Sequence, residues 1–453
     1  MNIKTSRLGV HVPEILLPNP AVDLSKWSVV ACDQYTSQPE YWEEVEKTVG
    51  NGPSTLKVTL PEVFLENLGT QERIKKINVT MKKYLSEQVL TSQKDGFVYI
   101  DRSTSHSASR KGLIIAVDLE EYDYNKGSQT LIRATEGTVI ERLPPRVKIR
   151  ENASIELPHI MLLIDDPEKS VIEPIADMAE KLEKLYDFDL MMNGGHIKGY
   201  KVDDEALLSN IFSALEKLSQ PAVFKAKYNV GDDKGTLLFA VGDGNHSLAS
   251  AKAFWEKVKK ELPECESANH PARFALVEVV NVHDEGLEFE PIHRVVFNVD
   301  AAQMLDKLVQ YYQSEHTKAY SKNFDCETSL NKELQSLRMN EKLHVLPFIT
   351  ADFCGMIVVE NPKYNLEVGT LQCFLDEFIK TDSQIKIDYI HGEDVVKSLG
   401  SQKGNIGFFM PAMDKCDLFK TVVLDGTLPR KTFSMGEAEE KRFYLECRKI
   451  VKD

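Results

Sequence analysis

The sequence predicts an α+β protein built from two units, and three observations carry that expectation. The chain has 453 residues, more than a single hydrophobic core usually organises, so two domains are expected. Short apolar or alternating runs, the pattern of strands, are interleaved along it with segments of helical 3.6-residue periodicity. At its centre, the apolar run Leu237-Leu238-Phe239-Ala240-Val241 passes through Gly242-Asp243-Gly244 into Asn245-His246-Ser247. Beyond Ser247 the positions Leu248, Ala251, Trp255, Val258 and Leu262 make one apolar stripe, closed by Pro263. This is a buried strand, a tight turn and an amphipathic helix in succession.

Taken in order, residues 1–40 carry Pro13, Pro18, Pro20 and Pro39, and residues 28–32 read as a short strand ending at Asp33-Gln34-Tyr35. Helices are expected over 40–48, 62–67 and 72–89, and strands over 97–101 and 110–118. Five basic residues fall between Arg133 and Arg150, among them Arg142 and Arg146. In an acidic chain they are either a local positive patch or a solvated hairpin turning at Pro144-Pro145. Residues 159–164 form a buried strand ending in Asp165-Asp166-Pro167, which reads as a helix start or as a pair of carboxylates for a hard cation. A helix is expected across 172–185. Asn193-Gly194-Gly195-His196 is a hairpin turn or a ligand-facing loop. A helix over 204–218 returns the chain to the central strand.

After Arg294 the character changes. Helices are expected over 301–312, 329–337, 371–379 and 393–399, a hairpin over 344–360, and strands over 385–389 and 406–410. The expected division is a first domain over 1–297, a second, smaller α+β domain over 298–427 and a helical C-terminal tail over 428–453.

Composition narrows the function. Hydrophobic residues make up 42% and charged residues 28%, with a formal net charge of −15. Without a long basic run, a nucleic-acid footprint is not expected. No run reaches the ~18 apolar residues of a membrane helix, and the seven cysteines show no Cys-x-x-Cys pair. The expectation is a cytoplasmic protein acting on a small molecule, with no nucleic-acid or membrane partner.

The chemistry-bearing candidates cluster around the central turn. A helix N-terminus presents unpaired N–H groups and the positive end of its dipole, so it favours anions; Asn245, His246 and Ser247 add donors there. A Walker A loop, a His-Glu-x-x-His metal motif and a Gly-x-Ser-x-Gly elbow are all missing from the sequence. What remains is a donor-rich helix start, a basic segment and carboxylates at Asp33, Glu136 and Asp243. Those parts suit a phosphorylated ligand, and with Mg²⁺ they suit phosphoryl transfer, which needs positioning and charge neutralisation above all.

The stretch Gly242-Asp243-Gly244-Asn245-His246-Ser247-Leu248-Ala249-Ser250-Ala251 resembles the Asp-Gly-His-His-Arg-x-x-x-Ala signature of the family catalogued as domain of unknown function 1015. Asn269-His270 through Leu276, Asp284-Glu285-Gly286-Leu287 and Glu290-Pro291-Ile292-His293-Arg294 resemble that family's Asp-Pro-Gly-Leu and Pro-Thr-His-Arg segment. Asp388-Tyr389-Ile390-His391-Gly392 resembles its Tyr-x-His-Gly element, and Arg133, Glu136 and Thr138 loosely match an Arg/His-Glu-x-Thr element. Asn245 stands for the signature's first His and Ser247 for its Arg.

The resemblance implies a ParB/sulfiredoxin-like nucleotide-binding N-terminal domain, in a superfamily that includes free serine kinases using a Glu as base. It further implies a small-molecule kinase moving a phosphoryl group from ATP or ADP to a hydroxyl of a serine-like or hydroxy-acid metabolite. Glu136 is then the base. Gly242, Gly244, Asn245, His246, Ser247, Arg133, Arg142 and Arg146 hold phosphates. Asp243 holds Mg²⁺ or orients the turn, and His293, Arg294 and Asp33 lie toward the substrate. Two other readings stay open: a nucleotide-responsive regulatory module without turnover, and a phosphate-ester hydrolase.

Overall fold

In the computed structural model, residues 8–65, 69–337, 340 and 342–452 are described, and they are mixed α/β throughout. Two compact units divide the chain. The first runs to Glu288 and includes the C-terminal segment from Gly436; the second is Phe289–Met435. The change of character near residue 298 therefore marks the end of a strand inside the second unit, and the tail is shared out between the two.

The strands of the first unit's large sheet are β1 (Val10–His11), β2 (Phe97–Ser103), β3 (Arg110–Asp118), β4 (Tyr122–Asp123), β5 (Ile132–Ala134), β6 (Met161–Ile164), β7 (Lys184–Asp189), β8 (His196–Val202), β9 (Phe239–Asp243) and β10 (Phe274–Asn281). They form one mixed sheet in the order β7-β8-β2-β3-β10-β6-β9-β5-β4, with β1 on β3. The period of two along each strand divides its side chains between two cores. Phe97, Tyr99, Leu113, Ile115, Val117, Ala275, Val277 and Val279 enter one; Val98, Ile100, Ile114 and Leu276 enter the other.

The unit's longer helices are α1 (Pro39–Val49), α2 (Thr70–Ser86), α3 (Leu143–Arg150), α4 (Glu205–Leu218), α5 (Pro221–Tyr228) and α6 (Asn245–Glu261). Leu208, Ile211 and Leu215 of α4, with Leu248, Ala251 and Trp255 of α6, cover the first core. That is the stripe read from the sequence. Trp42 and Val45 of α1, Ile74, Ile77 and Met81 of α2, and Phe443, Tyr444, Leu445 and Cys447 from the C-terminus cover the second. Phe443, Tyr444 and Leu445 at roughly 2 kcal/mol each already amount to about 6 kcal/mol of burial, so the C-terminal segment is a structural member of this core.

Several expectations are corrected. The helix over 172–185 shrinks to Glu173–Ala176 and a single 3-10 turn, after which the chain leaves as the edge strand β7. Pro174 sits in that first turn, and the exposed charges of β7 protect a sheet edge. Pro144 and Pro145 open α3 instead of turning a hairpin; proline is tolerated in a first helical turn because those N–H groups lack partners anyway. The helix over 62–67 is a 3-10 turn at Glu62–Phe64, with residues 66 and 67 outside the described residues. The tail expected to be helical holds short strands at Phe433–Ser434 and Arg448–Lys449 and one 3-10 turn. Its charged residues are spent on buried ion pairs, which fixes an extended path.

In the second unit β11 (Glu290–Phe297), β12 (Ala319–Phe324), β13 (Leu343–Ile349), β14 (Cys354–Glu360), β15 (Lys386–His391) and β16 (Asn405–Phe408) lie in the order β12-β14-β13-β16-β11-β15, and β17 (Phe433–Ser434) adds to β11. The helices are α7 (Ala301–Ser314), α8 (Glu327–Leu337), α9 (Glu367–Phe378), α10 (Glu393–Gly400) and α11 (Lys415–Asp425). The last was missed, although Asp414 caps it and Leu418, Phe419 and Val422 make its buried face.

His344 on β13 is buried and hydrogen-bonded to Thr370 at 2.7 Å; burial pushes its pKa down from 6.5 to about 4. Below pH 6.5 the unfolded chain takes up a proton that the folded chain refuses. The contribution is therefore complete above pH 6.5 and is lost as pH falls toward 4. At about 1.4 kcal/mol per pH unit this is on the order of 3 kcal/mol. His344→Gln should flatten that part of the stability–pH curve in urea unfolding between pH 4 and 7; an unchanged slope would show that His344 carries none of it.

Candidate functional site

The site is built on the turn from β9 to α6. Gly244 has φ +79°, and a Cβ placed there would stand 3.0 Å from the backbone Cα of Ile160. Both the left-handed conformation and the close strand demand glycine. Asp243 accepts the Gly244 N–H through its own Oδ1 at 2.8 Å, which closes the turn. Gly244 is also the N-cap of α6, and no side chain caps the helix. Its seventeen residues therefore begin in a first turn that no side chain caps, with the positive end of the helix dipole beside it.

The loop after β5 lies across this turn. Thr135 donates its hydroxyl to the Val241 carbonyl at 2.6 Å, and its N–H is donated to Asn245 Oδ1 at 3.3 Å. Farther along, the Val139 N–H is donated to His246 Nε2 at 3.4 Å. Glu136, half-buried, sits between these two attachments. The helix α3 packs along α6 and brings Arg142 and Arg146 toward His246. Burial first, then the Arg146 and Arg142 charges, hold the His246 imidazole below the usual histidine value, so it serves the Val139 N–H as a neutral acceptor. Arg146 also pairs with Glu62, and Arg142 is exposed.

The two ends of the chain complete the ring. Ala31 donates its N–H to Arg442 O and Tyr444 donates its N–H to Val29 O, both at 2.8 Å. This pairing sets Cys32 and Asp33 beside Lys441 and Tyr444. Lys441 Nζ lies 3.6 Å from Asp243 Oδ2. His159, just before β6, holds Ser247 Oγ at 2.8 Å through Nε2 and Tyr444 Oη at 2.8 Å through Nδ1, with Asp33 Oδ2 3.7 Å from Nε2. Burial pushes the Cys32 thiol up to about 12, so this cysteine is an inert packing group.

Of the residues singled out in the sequence, the structure gathers Asp33, Asp243, Gly244, Asn245, His246, Ser247, Arg142 and Arg146 around this turn, with Gly242 half-buried at the end of β9 and Glu136 on the loop tied to the turn at Thr135 and Val139. Arg133 is placed otherwise. Its guanidinium is buried and donates to the carbonyls of Thr130 and Thr236, at 2.8 and 3.2 Å, and to that of Gly235, bracing the neighbouring loop. Burial lowers it to about 10. His293 and Arg294 belong to the second unit and are buried in it. β11 is paired on both sides, so its middle residues face packing. His293 Nδ1 accepts the Met410 N–H at 3.0 Å; Arg294 donates to Gln372 Oε1 at 3.3 Å and to Arg430 O at 3.0 Å. Asp165 and Asp166 are taken by protein donors as well: Lys227 and His283 for the first, the Ser170 and Val171 N–H groups for the second. His159, Tyr444, Lys441 and Glu62 were missed. Nothing local marks them, because each reaches the turn from a distant segment.

The profile of the family described as protein of unknown function, DUF1015, matches residues 16–377. The chain belongs to that family. No curated protein matches it. Among solved structures, a free serine kinase variant in complex with AMP matches at 11% identity, covering 77% of this chain and 95% of that one, with a TM-score of 0.38. A conserved hypothetical protein from Pyrococcus furiosus matches at 12% identity, 73% and 90% coverage and a TM-score of 0.33. A C-terminally truncated SbnI from Staphylococcus aureus matches at 10% identity, 71% and 83% coverage and a TM-score of 0.32. Among the described residues no helix is long and apolar enough to cross a membrane.

Gly244→Ala should cost about 1–3 kcal/mol of folding stability, from the left-handed φ and the Ile160 backbone together. Gly137→Ala, where a Cβ meets nothing within 4 Å, is the control and should stay within about 0.5 kcal/mol. Equal denaturation midpoints for the two variants would show that the turn relaxes freely.

Proposed function

We propose that this chain is a small-molecule kinase of ParB/sulfiredoxin-like descent, transferring a phosphoryl group from ATP or ADP to a hydroxyl of a serine-like or hydroxy-acid metabolite. The observation that carries the reading is the first turn of α6, uncapped by any side chain and approached by Arg142, Arg146 and Lys441. Oriented N–H groups and fixed cations are what developing phosphoryl charge requires.

On this reading the backbone of Gly242 and Gly244, with Asn245, His246 and Ser247, holds phosphate oxygens, and Arg142 and Arg146 neutralise them. The acceptor hydroxyl oxygen bonds to phosphorus, the bond to the departing nucleotide breaks, and the hydroxyl proton passes to Glu136. Glu136 is suited to this because the loop carrying it is tied to the first turn on both sides. Asp33 lies on the acceptor side. Asp243, a half-buried carboxylate at the start of α6 beside Lys441, would hold Mg²⁺, which would supply charge neutralisation there. A regulatory module without turnover is the second reading, favoured by the uncharged Ser247 and by the sharing of Arg146 with Glu62.

Thermal melts with ATP, ADP or pyrophosphate, each with and without Mg²⁺, should show stabilisation. A ligand at a hundred times its dissociation constant adds about 2.7 kcal/mol. A flat response to all of them sinks both readings. Glu136→Gln should keep nucleotide affinity while lowering phosphoryl transfer to a panel of hydroxyl metabolites, free serine included, by roughly 10²–10⁴. Wild-type turnover in that variant would remove Glu136 from the mechanism. Binding by the wild-type protein without turnover on any acceptor would favour the regulatory module.

A further inference from the structure

Tyr444, His159 and Ser247 form a connected chain of hydrogen bonds reaching from the C-terminal segment to the first turn of α6. The Cys32 N–H is donated to Tyr444 Oη at 3.2 Å, Tyr444 Oη is 2.8 Å from His159 Nδ1, and His159 Nε2 is 2.8 Å from Ser247 Oγ. Tyr444 and His159 are both buried, at 3% and 8% exposure.

Proton counting orients the chain. A tyrosine hydroxyl has one proton to give. Among the described residues the strong acceptor within reach of Tyr444 Oη is His159 Nδ1, since the Cys32 N–H is itself a donor and the Cys32 thiol, also against Tyr444, accepts only weakly. A proton on Nδ1 would take that acceptor away and leave the buried Tyr444 hydroxyl only the weak thiol, at a cost of about 1–3 kcal/mol. Nδ1 therefore accepts, and a neutral ring then carries its proton on Nε2. That proton points at Ser247 Oγ, with the Asp33 carboxylate 3.7 Å away on the same side. A serine oxygen that accepts from histidine keeps its own proton for another acceptor. Ser247 Oγ has no further protein partner among the described residues.

We propose that Tyr444 and His159 are positioning residues: they fix the imidazole with its proton on Nε2, so that Ser247 donates its hydroxyl proton to an anionic oxygen at the start of α6. The proposal rests on the reading of that turn as a phosphate site. It assigns the C-terminal segment a part in ligand recognition, beyond its packing. It also makes Ser247 a directed donor, where a base-activated serine would need the opposite tautomer.

Two measurements test it. Histidine ring ¹⁵N spectra of the wild-type chain without ligand read the tautomer directly. The expected result is a protonated Nε2 and an unprotonated Nδ1 for His159; a proton on Nδ1 overturns the proposal. Titration calorimetry with pyrophosphate then compares wild type, Ser247→Ala, Ser247→Thr, Tyr444→Phe and the Ser247→Ala/Tyr444→Phe double variant. Loss of one hydrogen bond to a charged ligand corresponds to roughly tenfold weaker binding for Ser247→Ala. Ser247→Thr should restore most of it. Tyr444→Phe should fall between, and the double variant should be no weaker than Ser247→Ala alone, because the two act in series. Wild-type affinity in Ser247→Ala, or additive losses in the double variant, would overturn the relay while leaving the phosphate site standing. A wild-type chain that ignores pyrophosphate overturns both, and that failure is visible before any variant is made. If Tyr444→Phe does not fold, the tautomer and the Ser247 pair still decide the matter.

Discussion

The candidate site depends on the pairing of residues 29–31 with residues 442–444, and that pairing depends on buried arginines. Arg102 donates to the carbonyls of Gly194, Glu439, Glu440 and Lys441 at 2.6–3.2 Å. Arg442 pairs with Glu446 and lies 3.3 Å from Glu278, and Tyr186 donates to Glu446 as well. Farther on, Arg448 reaches Glu156 at 2.7 Å and the carbonyls of Pro271 and Phe274. Such groups add little net stability over a well-packed apolar core, because desolvation offsets the attraction. Their effect is specificity. A charge removed from one partner leaves the other buried and alone, at a cost of about 3–5 kcal/mol, so any other path for the tail is penalised. The path so fixed is the one that carries Lys441 and Tyr444 to the start of α6.

The same logic explains what could be read from the sequence and what could not. The β9–turn–α6 unit was legible because its determinants are local: an apolar run, two glycines around an aspartate, and a stripe at Leu248, Ala251 and Trp255. The grouping of Arg142 and Arg146 with the turn was legible as a local inversion of charge. Arg133, in the same basic run, was not separable from them, because strand parity decides its direction and only the sheet order fixes which side faces packing. His293 and Arg294 read as site residues from a motif, yet they sit in the middle of a strand flanked by two others. The contributions of His159, Lys441 and Tyr444 could not be read at all. They depend on contacts across 88 and 285 residues of sequence, for the bonds of His159 to Ser247 and Tyr444, and periodicity carries no information about such pairs.

The electrostatics of the turn run against the charge of the whole chain. A formal charge of −15 would repel a polyphosphate at long range, but at physiological salt that field is screened over about 8 Å. Inside that distance the local charges govern. Arg142, Arg146 and Lys441 lie around the positive end of a seventeen-residue helix. Burial and the two arginines also keep His246 from adding a fourth charge, which leaves its ring free to hold the Val139 loop through an acceptor nitrogen. The histidine of the turn therefore works as a structural hinge pin, and the cations come from elsewhere in the chain.

Those cations are already partnered, which bears on how an anion would be accommodated. Arg146 is shared with Glu62 and Lys441 with Asp243, and each of these side chains keeps between 17% and 28% of its surface exposed. Partly exposed pairs of this kind hold their geometry at little net cost, typically within 1 kcal/mol. They set the cations in place before any ligand arrives, which reduces the ordering that binding would otherwise require. A phosphate drawing on Lys441 also leaves the Asp243 carboxylate less neutralised and close to new negative charge. A divalent cation held by Asp243 would supply the positive charge that resolves the conflict. On the proposed reading, then, the ion pairs that organise the turn are also the reason it would call for a metal ion once a polyphosphate is bound.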